Sequence, residues 1–300
     1  MKKTYKVGEH CFSVNTESSS VASLLSEMKN YVPFLCGNHE NISCVFNLDI
    51  FMVESVDHYI KGLELLAEFD DDIAYISLMS DKIGNNAFRI SLNKELCNYG
   101  GLLVIDDKAR SVSLYLIDSA EVYLQQFIVN NSLMLLYAMY TSTLDTLLVH
   151  ASVVINDNGG YAFLGRSGTG KSTHTRLWLK YIGGSVLLND DNPVIRVLSE
   201  GKAMIYGSPW SGKTPCYKNE FAPLRAIVRL SQAPYNKITS LKGITAYAAV
   251  APSASSMKWN KSIADGLHVT LSKLINSSGV YHLECLPDEA AAQLCFNTVK

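Results

Sequence analysis

The 300-residue chain is 48% hydrophobic and 18% charged, ample apolar material for one large or two modest domains, which excludes disordered, collagenous and low-complexity classes. Its 26 basic and 28 acidic residues leave a formal charge of −2, so no global positive field draws it to nucleic acid or an anionic membrane surface. Its cysteines (Cys11, Cys36, Cys44, Cys97, Cys216, Cys285 and Cys295) are odd in number, scattered and without a C-x-x-C pair; that argues against a disulfide framework or structural zinc, and for reduced thiols in the cytoplasm.

The opening residues 1–6 carry lysines but no apolar run follows them, which predicts no signal peptide. Residues 1–130 read as a smaller α+β domain of unassigned role. Within it, 44–50 and 111–116 alternate apolar and polar residues as half-buried strands do. Gly100-Gly101 and Asp106-Asp107 read as turns, and Asp70-Asp71-Asp72 as a solvated loop rather than a metal site.

Residues 131–300 read as a nucleotide-binding domain. Leu133, Leu135, Leu136, Met139 and Leu144, at mixed spacings that include three- and four-residue steps, predict a buried helix from 131 to 146. The segment 133–149 is the most apolar long stretch, but Asp145 and several hydroxyls break it, so no membrane-spanning run exists. Residues 147–155 form a β-prone run whose polar members are His150 and Ser152; a turn at 156–160 and a strand at 161–164 follow. A helix is predicted over 171–182, with Leu177, Trp178 and Ile182 on one face and Gly183-Gly184 as its stop. The next strand, 185–188, runs into Asn189-Asp190-Asp191, and a further strand spans 203–206.

Between the predicted strand at 161–164 and the helix at 171–182 lies Gly165-Arg166-Ser167-Gly168-Thr169-Gly170-Lys171-Ser172, a full G-x-x-x-x-G-K-[ST] phosphate loop. Glycines let backbone N–H groups converge on an anion at a helix N-terminus. Gly165, Ser167, Gly168, Thr169, Gly170, Lys171, Ser172 and Thr173 are therefore the expected nucleotide contacts. Lys171 would neutralise β- and γ-phosphate oxygens, and the Ser172 hydroxyl would ligate Mg²⁺. Such a site also needs carboxylates. Asp190 and Asp191 come one helix and one turn later, so the two strand ends are expected side by side. Adjacent aspartates on a continuing strand point to opposite faces, so one would bind Mg²⁺ and the other accept a proton from an attacking hydroxyl. Which does which stays open at this level.

The run His150-Ala151-Ser152-Val153-Val154, the phosphate loop, and Leu187-Leu188-Asn189-Asp190-Asp191 together resemble the catalytic core of the HPr kinase/phosphorylase family. The loop is also similar to that of ATP-dependent phosphoenolpyruvate carboxykinase. The resemblance covers 147–191, is fainter to about residue 230 and is absent from 1–130. It implies an α/β fold with a mixed-sheet P-loop core, ATP or another nucleoside triphosphate with Mg²⁺, and a homo-oligomer. It further implies that His150 lies near the γ-phosphate while Asp190 and Asp191 share metal binding and base duty. Two departures stand out: Thr173 follows the loop serine where the family usually has an acidic residue, and the family's downstream Gly/Pro/Arg-rich loop has no clear counterpart.

Other segments offer further candidates. The turn-rich 207–213 could close over a nucleotide, with Lys213 reaching a phosphate or an acidic substrate and Trp210 as a lid; it reads equally as an exposed loop with one packed indole. Arg225 could act as a cationic finger, although a surface arginine is the simpler reading; His174 and Lys218 read as solvated. The expected function is an ATP- and Mg²⁺-dependent kinase that transfers a γ-phosphoryl group to a hydroxyl of a protein or small molecule. The alternative is a nucleotide-binding accessory or regulatory protein with little turnover. Neither nucleic acid nor a membrane is an expected partner.

Overall fold

The structure is a computed structural model, and it describes residues 1–37, 42–70, 74–106, 111–212, 214–255 and 260–300. Asp71, Asp72, Asp107 and Lys213 lie outside the described residues. The fold is mixed α/β, with two mixed sheets. No helix of the described residues is long and apolar enough to cross a membrane. The chain divides into two compact units, Met1–Lys6 with His10–Leu136, and Val7–Glu9 with Tyr137–Lys300.

The first unit is built on one eight-stranded sheet. Its elements are β1 (Lys2–Val7), β2 (His10–Asn15), α1 (Ser19–Glu27), β3 (Asn47–Val53), α2 (Asp57–Ile60), β4 (Glu64–Asp70), β5 (Tyr75–Ser80), β6 (Asn86–Ser91), β7 (Gly101–Asp106) and β8 (Ser111–Ile117). The order is β1-β2-β3-β8-β7-β6-β5-β4: β2, β3 and β8 run parallel, and β8 to β4 form an antiparallel meander. Alternation in β8 buries Val112, Leu114 and Leu116, as a sheet with one core face requires. Gly101 opens β7 rather than forming a turn, and a Cβ there would lie 2.5 Å from Ile128 Cγ2.

Helix α3 (Val122–Thr141) begins nine residues before the position the periodicity predicts and stops five residues short of its predicted end. The early start hides in the sequence because Gln125 and Asn131 interrupt the apolar stripe; in the fold the Gln125 side chain is buried and donates to the Ile117 carbonyl at 2.9 Å. At the other end, the Thr141 and Ser142 hydroxyls take the Tyr137 and Met139 carbonyls, and Asp145 adopts a left-handed φ of 50°.

The second unit carries the other sheet. Its elements are β9 (Thr146–Leu148), β10 (Ala151–Asn156), β11 (Gly159–Leu164), α4 (Lys171–Tyr181), β12 (Val186–Asp191), β13 (Val194–Val197), β14 (Ala203–Tyr206), β15 (Phe221–Gln232), β16 (Lys237–Leu241), α5 (Gly243–Val250), α6 (Lys261–Ser277), β17 (Gly279–Cys285) and α7 (Glu289–Val299). The strand order is β12-β10-β11-β15-β14-β13-β9, with β17 on β15 and β16 on β17. Strand β15 serves two neighbourhoods: Phe221–Pro223 pair antiparallel with β14, and its later residues run parallel to β11 and β17.

Two sequence expectations change here. Residues 147–155 are not one strand. Val149 and His150 leave the ladder, donating to the Pro193 and Ser253 carbonyls, so β9 pairs with β13 while β10 pairs with β11 and β12. The strand ends after Leu164 and at Asp191 are not neighbours either: β10 lies between them, antiparallel to both. A two-residue hairpin, with Asp157 and Asn158 both at positive φ, brings β10 back beside β11.

Apolar side chains cover both faces of the sheet. Trp178 of α4 and Ala292 and Cys295 of α7 pack on Phe163, Val228 and Leu283. Helices α5 and α6 pack Ala249, Leu271 and Leu274 on Ala162, Ile227 and Val280. His174 is part of the first layer, not solvated: it is 3% exposed, accepts at Nε2 from Trp178 Nε1 at 3.1 Å and meets the Phe163 ring edge-on.

Burial pulls His174 from the ordinary 6.5 down to about 4. Between those values the unfolded chain takes up a proton that the folded chain refuses, so stability present above pH 6.5 is lost as pH falls toward 4. The full loss is about 3 kcal/mol. Urea unfolding across this range should show it, and His174→Gln, which keeps an acceptor for Trp178, should flatten that part of the profile.

Candidate active site

The loop after β11 owes its path to glycine. Gly168 and Gly170 adopt φ of 79° and 103°, which other residues rarely take, and a Cβ on Gly165 (φ 153°) would run into the Thr169 hydroxyl. Thr169 closes the turn from within, donating to the Arg166 carbonyl through N–H at 3.2 Å and Oγ1 at 2.8 Å. Gly170 then caps α4, whose first N–H groups have no partner within the helix and are available to an anion. Ser167 is exposed at the loop's crest, whereas Thr173 is half-buried on the first turn of α4.

Lys171 folds back over the loop. Its Nζ donates to the Gly165 carbonyl at 2.9 Å and lies 2.8 Å from His150 Nε2. His150 Nδ1 in turn lies 2.9 Å from Asp191 Oδ1. One imidazole tautomer satisfies both contacts: Nδ1–H donates to Asp191, and the Nε2 lone pair faces the ammonium. Desolvation pulls the Lys171 pKa below the ordinary lysine value, against the opposing pull of Asp191 and Asp190.

Strand β12 continues through both aspartates, so they face opposite sides. Asp190 points toward α4. Its Oδ1 accepts from Ser152 Oγ at 2.7 Å and from Ser172 Oγ at 3.0 Å, and Ser152 Oγ also lies 2.7 Å from Thr175 Oγ1. Asp191 points the other way, with Oδ1 at His150 and Oδ2 accepting from Asn192 Nδ2 at 2.8 Å. Every proposed catalytic and metal residue, His150, Lys171, Ser172, Asp190 and Asp191, therefore belongs to one hydrogen-bonded cluster or the other. A hydroxyl beside a carboxylate is a pair of hard oxygen donors, and Ser172 with Asp190 suits Mg²⁺, which keeps several waters and needs few protein ligands. Among the described residues there is no larger metal-binding cluster of histidine, cysteine or carboxylate.

The segment after β14 forms a wall of this site, though not as a lid. Trp210 is 2% exposed and packs on the Tyr137 ring at 5.2 Å, so it cannot swing over a ligand. Ser208 Oγ donates to the Asn192 carbonyl, Asn192 N–H donates to the Trp210 carbonyl, and Ser211 bridges to Asp191. A Cβ on Gly212 would come within 2.9 Å of the Asp190 carbonyl. The expected Lys213 contact lies outside the described residues. Arg225 is not part of the site: its side chain packs on Gly159, at the opposite end of β11 from the phosphate loop.

Sequence reasoning missed Ser152, Thr175 and Asn192 as parts of this arrangement, and took Ser208 and Gly212 only as members of a closing segment rather than of a fixed wall. Ser152 carried a signal, as a polar residue in an otherwise β-prone run; the others gain meaning only from strand register. On the other side of the loop, Thr169, Thr173, Leu177, Gln232 and Pro287 help line a cavity of about 700 Å³. No protein-family model matches the chain, and no curated protein matches it.

Two variants probe this geometry. Ser152→Ala leaves a buried carboxylate with one donor fewer and should cost about 2 kcal/mol in urea unfolding. Gly212→Ala should push the wall off Asp190 and Asp191; it is expected to disturb the amide resonances of those residues in an NMR spectrum while leaving those of α6 in place.

Proposed function

We propose that the chain is an ATP- and Mg²⁺-dependent kinase with a core of the HPr kinase/phosphorylase kind, transferring a γ-phosphoryl group to a hydroxyl of a protein or small molecule. The observation that carries this reading is the double linkage at the phosphate loop: Lys171 to Asp191 through His150, and Ser172 to Asp190 directly. A loop that only binds phosphate has no use for two carboxylates on opposite faces of one strand.

In this reading the loop's N–H groups and Lys171 hold the β- and γ-phosphates, with Lys171 exchanging its carbonyl contacts for phosphate oxygens. Ser172 and Asp190 would hold Mg²⁺, which when bound neutralises charge developing on the phosphates. Asp191 is the proton acceptor. Its carboxylate keeps lone pairs free beside the two donors it already has, and His150 fixes its orientation. The acceptor oxygen bonds to the γ-phosphorus as the bond to the β–γ bridging oxygen breaks, and the acceptor's proton passes to Asp191. The Ser211–Gly212 wall along Asp191 would bound the acceptor's approach.

Mg²⁺-ATP at millimolar concentration should raise the unfolding midpoint of the wild type by several degrees and leave Lys171→Ala unchanged, because a ligand that binds only the native state stabilises by mass action. Asp191→Asn should lower ADP release, with water or an acceptor as nucleophile, about 10²-fold or more while ATP affinity changes little. An Asp190→Asn/Asp191→Asn double variant with full turnover would end the kinase reading.

A further inference from the structure

One edge of the first unit's sheet is blunted and the other is not. An edge strand presents unpaired N–H and C=O groups to any extended chain, and proteins commonly guard it with lysine, proline or a covering segment. The β1 edge follows that rule. It carries Lys2, Lys3 and Lys6, Leu35 bridges to Tyr5, and the Thr4 carbonyl accepts from Cys36 N–H at 2.8 Å.

Strand β4, at the opposite edge, does the reverse. Among the described residues it pairs with β5 alone. It is seven residues long, contains no lysine, arginine or proline, and is exposed throughout except at half-buried Ala67. Leu65 and Leu66 are each 57% exposed, and Phe69 is also in water. One bulge interrupts the ladder: Leu65 pairs with Met79 and Ala67 with Leu78, which leaves Leu66 as the extra residue. From Ala67 to Asp70 the pairing is regular, so the outer backbone groups there form an uninterrupted template. Apolar side chains beside such a template are what an added strand would bury.

Charge defines the occupant. The charged residues of β4 are Glu64, Glu68 and Asp70. Lys94 approaches Glu68 at 3.9 Å, whereas Glu64 and Asp70 have no ion pair among the described residues. A second copy of the strand fits badly. Antiparallel self-pairing about Ala67 sets Glu64 opposite Asp70 at both ends and Leu66 opposite Glu68, and like charges directly opposite destabilise a sheet. The complement is an extended segment in which lysine or arginine alternates with apolar residues.

We infer that β4 is a docking edge for an extended, basic and apolar segment of another polypeptide, which joins the sheet as a ninth strand. Backbone hydrogen bonds along Ala67–Asp70 hold that strand, Leu65, Leu66 and Phe69 meet its apolar side chains, and the carboxylates select its positive charge. This interaction lies outside the kinase reading and does not depend on it.

Fluorescence anisotropy on the full chain tests the assignment with a dye-labelled nonapeptide of alternating lysine and valine. Saturable binding is expected, about tenfold or more tighter than that of the same peptide with glutamate in place of lysine. A backbone N-methylated analogue keeps the charge and the side chains but has no N–H to donate, and should bind about tenfold or more weakly. Leu65→Lys/Leu66→Lys, at two exposed positions, should leave the urea midpoint unchanged and weaken the lysine–valine probe by a similar factor. Absence of binding to the wild type would overturn the docking edge, as would equal affinity for the N-methylated analogue or full affinity in the double variant. A concentration-dependent dimer in sedimentation that the double variant abolishes would overturn the foreign partner in favour of a second copy.

Discussion

The departure of Val149 and His150 from the strand ladder is the constraint on which the site depends. Up to Leu148 the chain pairs with β13; from Ala151 it pairs with β11 and β12. Between the two ladders the Val149 and His150 N–H groups must find other acceptors, and the Pro193 and Ser253 carbonyls supply them. A continuous strand would have locked the histidine into one ladder. The break instead sets its imidazole between Lys171 and Asp191, close enough to bond both.

The insertion of β10 between β11 and β12 has the second-largest consequence. It spaces the phosphate loop from the aspartates by one strand, and Ser152 of that strand sits directly opposite Asp190. The hydroxyl fills the gap, donating to a carboxylate that is 9% exposed. A buried carboxylate persists only when hydrogen bonds replace lost hydration, and Ser152 and Ser172 provide them. The same strand geometry turns Asp191 to the other face, so two identical side chains acquire different neighbours and, in the proposed mechanism, different work.

Rigidity around this cluster comes from packing rather than from the loop itself. Trp178 and His174 anchor α4 to Phe163, fixing the helix whose N-terminus the loop feeds. Trp210, buried against Tyr137, and Ser208, bonded to the Asn192 backbone, hold the opposite wall. The proposed phosphoryl transfer would gain chiefly from positioned charge, and indoles that immobilise the walls would serve it.

The sequence by itself determined the G-x-x-x-x-G-K-S loop and its strand–loop–helix setting. Those follow from local rules: glycine's access to positive φ, a lysine and a serine at fixed offsets, and alternation along a strand. It also marked Asp190 and Asp191 as a pair with separate faces. Tertiary structure alone decided the rest. That β10 lies between β11 and β12, that residues 147–155 break at His150, that α3 starts at Val122 and that Trp210 is a buried anchor all depend on long-range pairing. Strand partners and burial are set by residues far apart in the chain, such as Val149 with Pro193 or Ser152 with Asp190, and no local periodicity encodes those distances.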